Sequence, residues 1–215
     1  MTRFYWVVAG ALTVLVFGVT LALYPRLPDQ IPTHWNIRGE VDAYGAKSWA
    51  AFLVPGLMLA LLGVFALLPW LSPKRFEVDS IRSTYLFIML ILVGMAAYIQ
   101  GVILYAGLWG PVDVGRALVA GLCLTLALLG NVLGKVRRNF YIGVRTPWTL
   151  ADHRVWTDTH RLAAWTVTAG GLVGFLLALL GWLVAAFVAI MAAVFLPVIY
   201  SLVHYKQLER SGKLE

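Results

Sequence analysis

Two stretches of this 215-residue chain hold residues whose types suit chemistry. The first runs from Pro25 to Lys47 and carries His34, Glu40 and Asp42. The second runs from Gly130 to His160 and carries Asp152, His153, Asp158 and His160. Imidazoles and carboxylates together offer metal ligation or general acid–base catalysis. Neither stretch has the spacing that such chemistry asks for. His34, Glu40 and Asp42 fit no zinc pattern. His153 and His160 are two helical turns apart and share a face. A hydrolytic or binuclear centre, however, needs more carboxylates converging on one pocket. The chain has no His-Glu-x-x-His, no Gly-x-Ser-x-Gly and no phosphate-binding glycine loop. Cys123 is the single cysteine, which excludes an internal disulfide and a multi-cysteine metal site. It reads as a small buried hydrophobe. The expectation is a protein without enzymatic activity, metal or cofactor. The alternative left open is a metal-dependent enzyme using His34 or the His153/His160 pair.

The elements that must position these residues are apolar. Hydrophobic residues make up 61% of the chain and charged residues 13%. A soluble domain is about half apolar and about a quarter charged, and it keeps a wet polar surface. The surplus must face lipid. A spanning helix needs about 20 mostly apolar residues. The runs Phe4 to Tyr24, Ser48 to Leu71, Thr84 to Leu108 and Arg116 to Gly134 meet that length. The last block, Leu162 to Tyr205, is twice as long and must fold back; Gly181 is the expected break, giving helices over 162–180 and 182–205. The first run is too long for the apolar part of a signal peptide and no small-x-small site follows it, so it reads as a retained helix. Barrel strands alternate in polarity, and these runs do not. Unpaired backbone is too costly in hydrocarbon for anything but helices or a barrel. The fold class is therefore all-α integral membrane with six spanning helices.

Charge sets the expected orientation. With the N-terminus inside, the inner segments hold thirteen cations: Arg3, Lys74, Arg75, Arg82, Lys135, Arg137, Arg138, Arg145, Arg154, Arg161, Lys206, Arg210 and Lys213. The outer segments hold four: Arg26, Arg38, Lys47 and Arg116. That bias places both termini in the cytoplasm. The net charge of +7 lies in short inter-helix segments, which suits anionic lipid headgroups rather than nucleic acid. Two connections are long, an outer cap loop over 25–47 and an inner amphipathic loop over 135–161. The expected organisation is a two-helix unit over 1–72 with the outer cap, and a four-helix unit over 73–215.

The outer loop holds three prolines and two glycines, Gly39 and Gly45, and is not helical. Asn36 to Gly39 has turn chemistry. Ile31 to Trp35 and Val41 to Tyr44 can pair around it as a hairpin, making a compact cap. His34, Trp35, Asn36, Gly39 and Asp42 then serve either the cap's structure or a ligand. Trp35, Tyr44 and Trp49 suit an interfacial aromatic belt.

The inner loop opens on the basic cluster Lys135 to Arg138. Arg145-Thr-Pro-Trp148 reads as a turn, because a residue before proline avoids helix. Thr149 is expected to cap a helix from Leu150 into the fifth span, with Asp152 completing a capping box. Trp156 and His160 share a face of that helix. The loop reads as an amphipathic interfacial segment locked by Arg145 and Trp148, or as a partner site. Within the spans, Gln100 and His204 are the main polar residues, too few for an evident ion or proton path. A small transporter or lipid-handling protein is the rival here, with a cavity near Gln100. Ala169, Gly170, Gly171 and Gly174 predict close helix packing in the fifth span.

Both loops resemble a known family. The stretch Gly130-Asn131, Asn139-Phe-Tyr-Ile-Gly143-Val-Arg145-Thr146-Pro147-Trp148-Thr149, Val155-Trp156 and Thr159-His160-Arg161 is similar to SdpI-type immunity proteins. The stretch Leu27-Pro-Asp-Gln-Ile-Pro-Thr-His-Trp-Asn36, Gly39-Glu-Val-Asp42, Gly45 and Lys47 resembles the domain of unknown function often fused ahead of that family. The resemblance implies a bacterial multi-pass protein of the cell membrane that confers toxin resistance and takes part in signal transduction. It implies protection against an extracellular, membrane-active toxic peptide, and a cytoplasmic repressor held at the membrane. The outer cap would meet the peptide. The inner residues Asn131, Asn139, Gly143, Arg145, Thr146, Pro147, Trp148, Thr149, Trp156 and His160 would meet a partner or couple the two faces. No catalytic residue and no direct nucleic-acid contact follows from it.

Overall fold

The computed structural model describes residues 2–36, 40–71, 81–110, 113–139 and 141–214. Among these residues, six helices are long and apolar enough to cross a membrane. They are α1 (Thr2–Leu23), α2 (Lys47–Leu71), α3 (Arg82–Trp109), α4 (Val114–Leu133), α6 (His153–Leu179) and α7 (Leu183–Arg210). A five-residue helix, α5 (Pro147–Ala151), precedes α6, and one antiparallel pair of strands, β1 (Gln30–Trp35) and β2 (Val41–Ala46), joins α1 to α2. Pro55, Pro69 and Pro197 lie inside spanning helices, where neighbouring helices can satisfy the freed backbone groups. The chain is a multi-pass membrane protein.

Successive passes put the hairpin, the α3–α4 connection and the α6–α7 turn at one end of the bundle. The loop 134–152 and both termini lie at the other. Large apolar side chains such as Val14, Phe187, Val188 and Ile199 point outward along the spans. Trp49, Trp109 and Trp182 are exposed at helix ends on the hairpin side, as in an interfacial belt, and Trp70 is exposed at a helix end on the other.

The fold-back sits where expected. Gly181 adopts φ +82, its N–H donates to Ala178 O and the Trp182 N–H to Leu177 O. That is a Schellman ending, and glycine has no Cβ to oppose the positive φ. The small residues of α6 pack as anticipated. A Cβ at Gly171 would press on the backbone of Ala127 and Cys123 in α4, and one at Gly170 would strike Ala193 in α7. Thr166 donates to Ala193 O (3.0 Å), binding α6 to α7 directly.

α3 packs along α1 and α2 around Ala9, Met58, Phe65, Met89 and Val93. Gln100 of α3 is buried and donates to Thr20 Oγ1 of α1 (3.1 Å) and Ala51 O of α2 (2.9 Å). It therefore ties three helices together. His204 meets Asp158 across α6 and α7 (3.0 Å).

The inner-loop expectation needs correction. The irregular segment is shorter than 135–161, because α6 already begins at His153. The helix does not run unbroken from Leu150, and Thr149 is not its cap. Thr146 caps α5, accepting from Thr149 N, and Thr149 is the third residue of that box. Asp152 separates α5 from α6. It is extended (φ −130, ψ 135), and its carboxylate accepts from Arg154 N (2.8 Å) and Val155 N (3.1 Å). The physical reason is competition: Pro147 is pre-set for a first helical position, while Asp152 answers the free amides of a second helix start.

Candidate functional site

The loop between α4 and α6 folds as a knot of short-range hydrogen bonds. Asn139 is buried, and its Oδ1 accepts from Tyr141 N and Ile142 N, both at 2.7 Å. Its amide donates to Arg137 O (2.8 Å) and Ile142 O (3.1 Å). One side chain thus ties Arg137 to Tyr141 and Ile142. Gly143 follows with φ +111, where a Cβ would fall on the His160 ring.

His160 is the centre of the knot. It is 1% exposed, and its Nε2 accepts from Val144 N (3.0 Å). Its Nδ1 lies 2.7 Å from Trp156 O, so Nδ1 carries the proton and the imidazole is neutral. The ring stacks on Trp156 with centroids 4.0 Å apart, and the Trp156 indole donates to Val136 O (2.8 Å). Helix α6 therefore grips the loop at residues 136 and 144 through two side chains one turn apart. With both ring nitrogens engaged, His160 is a structural clasp and not an available base or ligand. The shared face expected for Trp156 and His160 is seen, and exposed His153 lines the same small cavity as both, outside their ring stack.

Thr149 is also fully buried. Its hydroxyl donates to Val144 O (2.7 Å) and accepts from Thr146 N (3.0 Å). The Thr146 hydroxyl lies 3.2 Å from that of Ser201 in α7. Arg138 donates to Leu150 O at the end of α5 (3.3 Å). The knot thus joins α4, α5, α6 and α7. Arg145 and Pro147 face outward and Trp148 is half-buried. Asn131 is exposed on α4 and stands outside the knot. Sequence reading did not single out Ser201, took Arg138 only as part of a basic cluster, and gave Asp152 the third position of a capping box rather than the N-cap of α6. Serine in an apolar span and aspartate just before a helical pattern were the signals available.

At the other end, the hairpin is clamped at its base. Lys47 donates its N–H to Asp29 O (2.9 Å) and its ammonium to Leu27 O (3.1 Å), and it lies over the Tyr24 ring. Gly45 has no room for a side chain against Trp49. At the far end Asn36 and Glu40 pair through backbone and side chains, with Asn36 Nδ2 donating to Glu40 Oε2 (2.8 Å). Gly39 lies outside the described residues. His34 and Asp42 form an exposed cross-strand pair at 2.5 Å. Trp35 departs from the belt reading, since its ring turns under the hairpin while Tyr44 and Trp49 stay exposed. Among the described residues, no three His, Cys, Asp or Glu side chains gather as ligands for one ion.

Residues 135–201, from the knot through Ser201, match the SdpI/YfhL protein family. Residues 11–59, which include the hairpin, match a domain of unknown function, DUF1648. The chain is similar to the immunity protein SdpI of Bacillus subtilis (strain 168), with 26% identity over 204 residues, spanning 92% of this chain and 94% of the relative. No solved structure matches the chain.

Proposed function

Taking as premise a multi-pass cell-membrane protein that carries an SdpI/YfhL family region and resembles an immunity protein, we propose that this chain protects its cell from a toxic membrane-active peptide. The observation that carries the reading is the reach of the likeness, which covers 92% of this chain and takes in both the hairpin and the knot. The excess of cations at the knot end supports an orientation with the hairpin outside and both termini in the cytoplasm. In that orientation the hairpin residues His34, Trp35, Asn36 and Asp42 meet the peptide. The action is binding, without catalysis.

The finer reading is that the cytoplasmic end holds a repressor. Buried knot residues such as Asn139, Thr149 and His160 cannot touch a partner, so they serve by presenting others. Arg145, Pro147 and Trp148, with the exposed cations Lys135 and Arg137 of the same loop, supply the surface offered. The test is peptide sensitivity of cells with and without the gene, using membrane-active peptides from the same or neighbouring strains. Deletion is expected to sensitise the cells and the wild-type gene to restore resistance. Restoration by an Arg145→Ala, Trp148→Ala double variant would remove that surface from the protective function. Unchanged sensitivity to every peptide would overturn protection itself.

A further inference from the structure

A cavity of about 450 Å³ opens at the knot end, between the close of α4 and the first turns of α6. Its lining is polar and one-signed. Lys135 and Arg137 come from the segment after α4, and His153 and Thr157 from α6. None of the described residues that line it is acidic. Other cations have carboxylates at hand: Lys47 lies 3.7 Å from Asp29, Arg116 3.3 Å from Asp113 and Lys206 2.7 Å from Glu209. Lys135 and Arg137 have no such partner among the described residues.

The two cations are also set in place. Val136 between them is buried, and its carbonyl accepts from the Trp156 indole (2.8 Å). The Lys135 N–H donates to Val132 O (3.0 Å), and Arg137 O accepts from the Asn139 amide (2.8 Å). The backbone carrying both side chains is thus fixed against α6 before any ligand arrives, which lowers the ordering cost of binding one. Across the cavity, the Thr157 hydroxyl donates to His153 O (2.9 Å), and His153 Nε2 has no partner among the described residues.

Depth says which anion comes there. Helix α4 is 20 residues long, one hydrocarbon thickness at about 1.5 Å per residue, so Gly134 to Arg137 emerge directly at its boundary. Helix α6 gives the same level independently. Exposed Trp182 marks the opposite interface, and about 20 residues back from Leu180 reaches His160. The headgroup layer beyond is about 5–7 Å deep, which takes in Trp156 and Thr157. The cavity therefore lies where lipid phosphates lie.

We propose that this cavity binds the phosphate of an anionic phospholipid, with Lys135 and Arg137 as its cationic partners and His153 beside them. A zwitterionic headgroup fits less well, because its ammonium finds no carboxylate in the lining. The site stands independently of the protection reading.

The test is native mass spectrometry of the full chain in detergent, titrated with phosphatidylglycerol and, separately, phosphatidylcholine. The wild type is expected to hold its first phosphatidylglycerol roughly 30-fold more tightly, since each cation near an anionic surface contributes a factor of about five. Lys135→Gln with Arg137→Gln should abolish that preference. Arg210→Gln with Lys213→Gln removes the same charge from the exposed C-terminal end and should keep it. Thr157→Trp fills the cavity without changing charge and should weaken the first binding as well, and the exchange Lys135→Arg with Arg137→Lys should preserve it. Equal affinity for the two lipids would overturn the proposal. So would a preference that survives the Lys135/Arg137 pair or Thr157→Trp, or one lost equally in the C-terminal pair, which would reduce the effect to general surface charge. Displacement of the lipid by equimolar glycerol phosphate or tetraglutamate would assign the cavity to a soluble phosphate or a protein carboxylate and overturn the lipid assignment. Failure of the protection reading shows separately, as unchanged peptide sensitivity in the deletion strain with the lipid preference intact.

Discussion

Replacing Gly143 with alanine probes whether one imidazole holds the knot. The perturbation has two parts. Gly143 sits at φ +111, where an L-residue is strained by about 1–3 kcal/mol. The new Cβ also falls on the His160 ring. The ring has little room to yield, being stacked on Trp156 at 4.0 Å and tied through Nδ1 to Trp156 O at 2.7 Å. Relief must come from breaking the Val144 N–H bond to Nε2, and an orphaned buried amide costs about 1–3 kcal/mol. Together the loss is about 2–6 kcal/mol, which for a chain of this size lowers Tm by roughly 2–4 °C per kcal/mol. The assay is thermal unfolding of the purified protein in detergent, followed by circular dichroism, as a double-mutant cycle with His160→Ala. Without the ring, Gly143→Ala should retain only the backbone part of its cost, leaving a coupling of about 1–3 kcal/mol between the positions. An unchanged Tm for Gly143→Ala would refute the reasoning, and so would an equal decrement in both backgrounds.

Four further outcomes follow from the same geometry. Asp152→Ala removes the cap of α6 and should cost about 0.5–2 kcal/mol in the same melts, with Asp152→Asn restoring most of it. Gly171→Val wedges α6 from the backbone of Ala127 and Cys123; over-packing of this kind costs about 1–3 kcal/mol, and a drop in monodisperse yield on size-exclusion chromatography checks it. Gln100→Leu gives up two donated bonds but also removes a buried Oε1 that has no partner, so stability should change by less than about 1 kcal/mol; a larger loss would mean that the tether between α1, α2 and α3 outweighs the orphan. Cys123 is fully buried, so cysteines placed at exposed Tyr44 and Arg210 report orientation through a membrane-impermeant thiol reagent. Tyr44→Cys should label in intact cells and Arg210→Cys only after lysis; the reverse pattern would invert the proposed topology.

Six spans, the hairpin between the first two and the turn at Gly181 were legible along the chain. Each is decided by local quantities: the length of an apolar run against bilayer thickness, proline and glycine in a short polar stretch, one positive φ. The small residues of α6 also announced close packing, because only glycine and alanine let backbones touch. Partner choice was not legible. His160 binds an amide 16 residues away, Thr146 a hydroxyl 55 away and Gln100 a hydroxyl 80 away. Thr149 and Asp152 exchanged their expected positions because two helix starts, each with its own cap, fall within seven residues. Transfer from water to lipid adds up residue by residue and can be read from a string. A hydrogen bond needs two groups brought together in space, and only the folded chain decides which two meet.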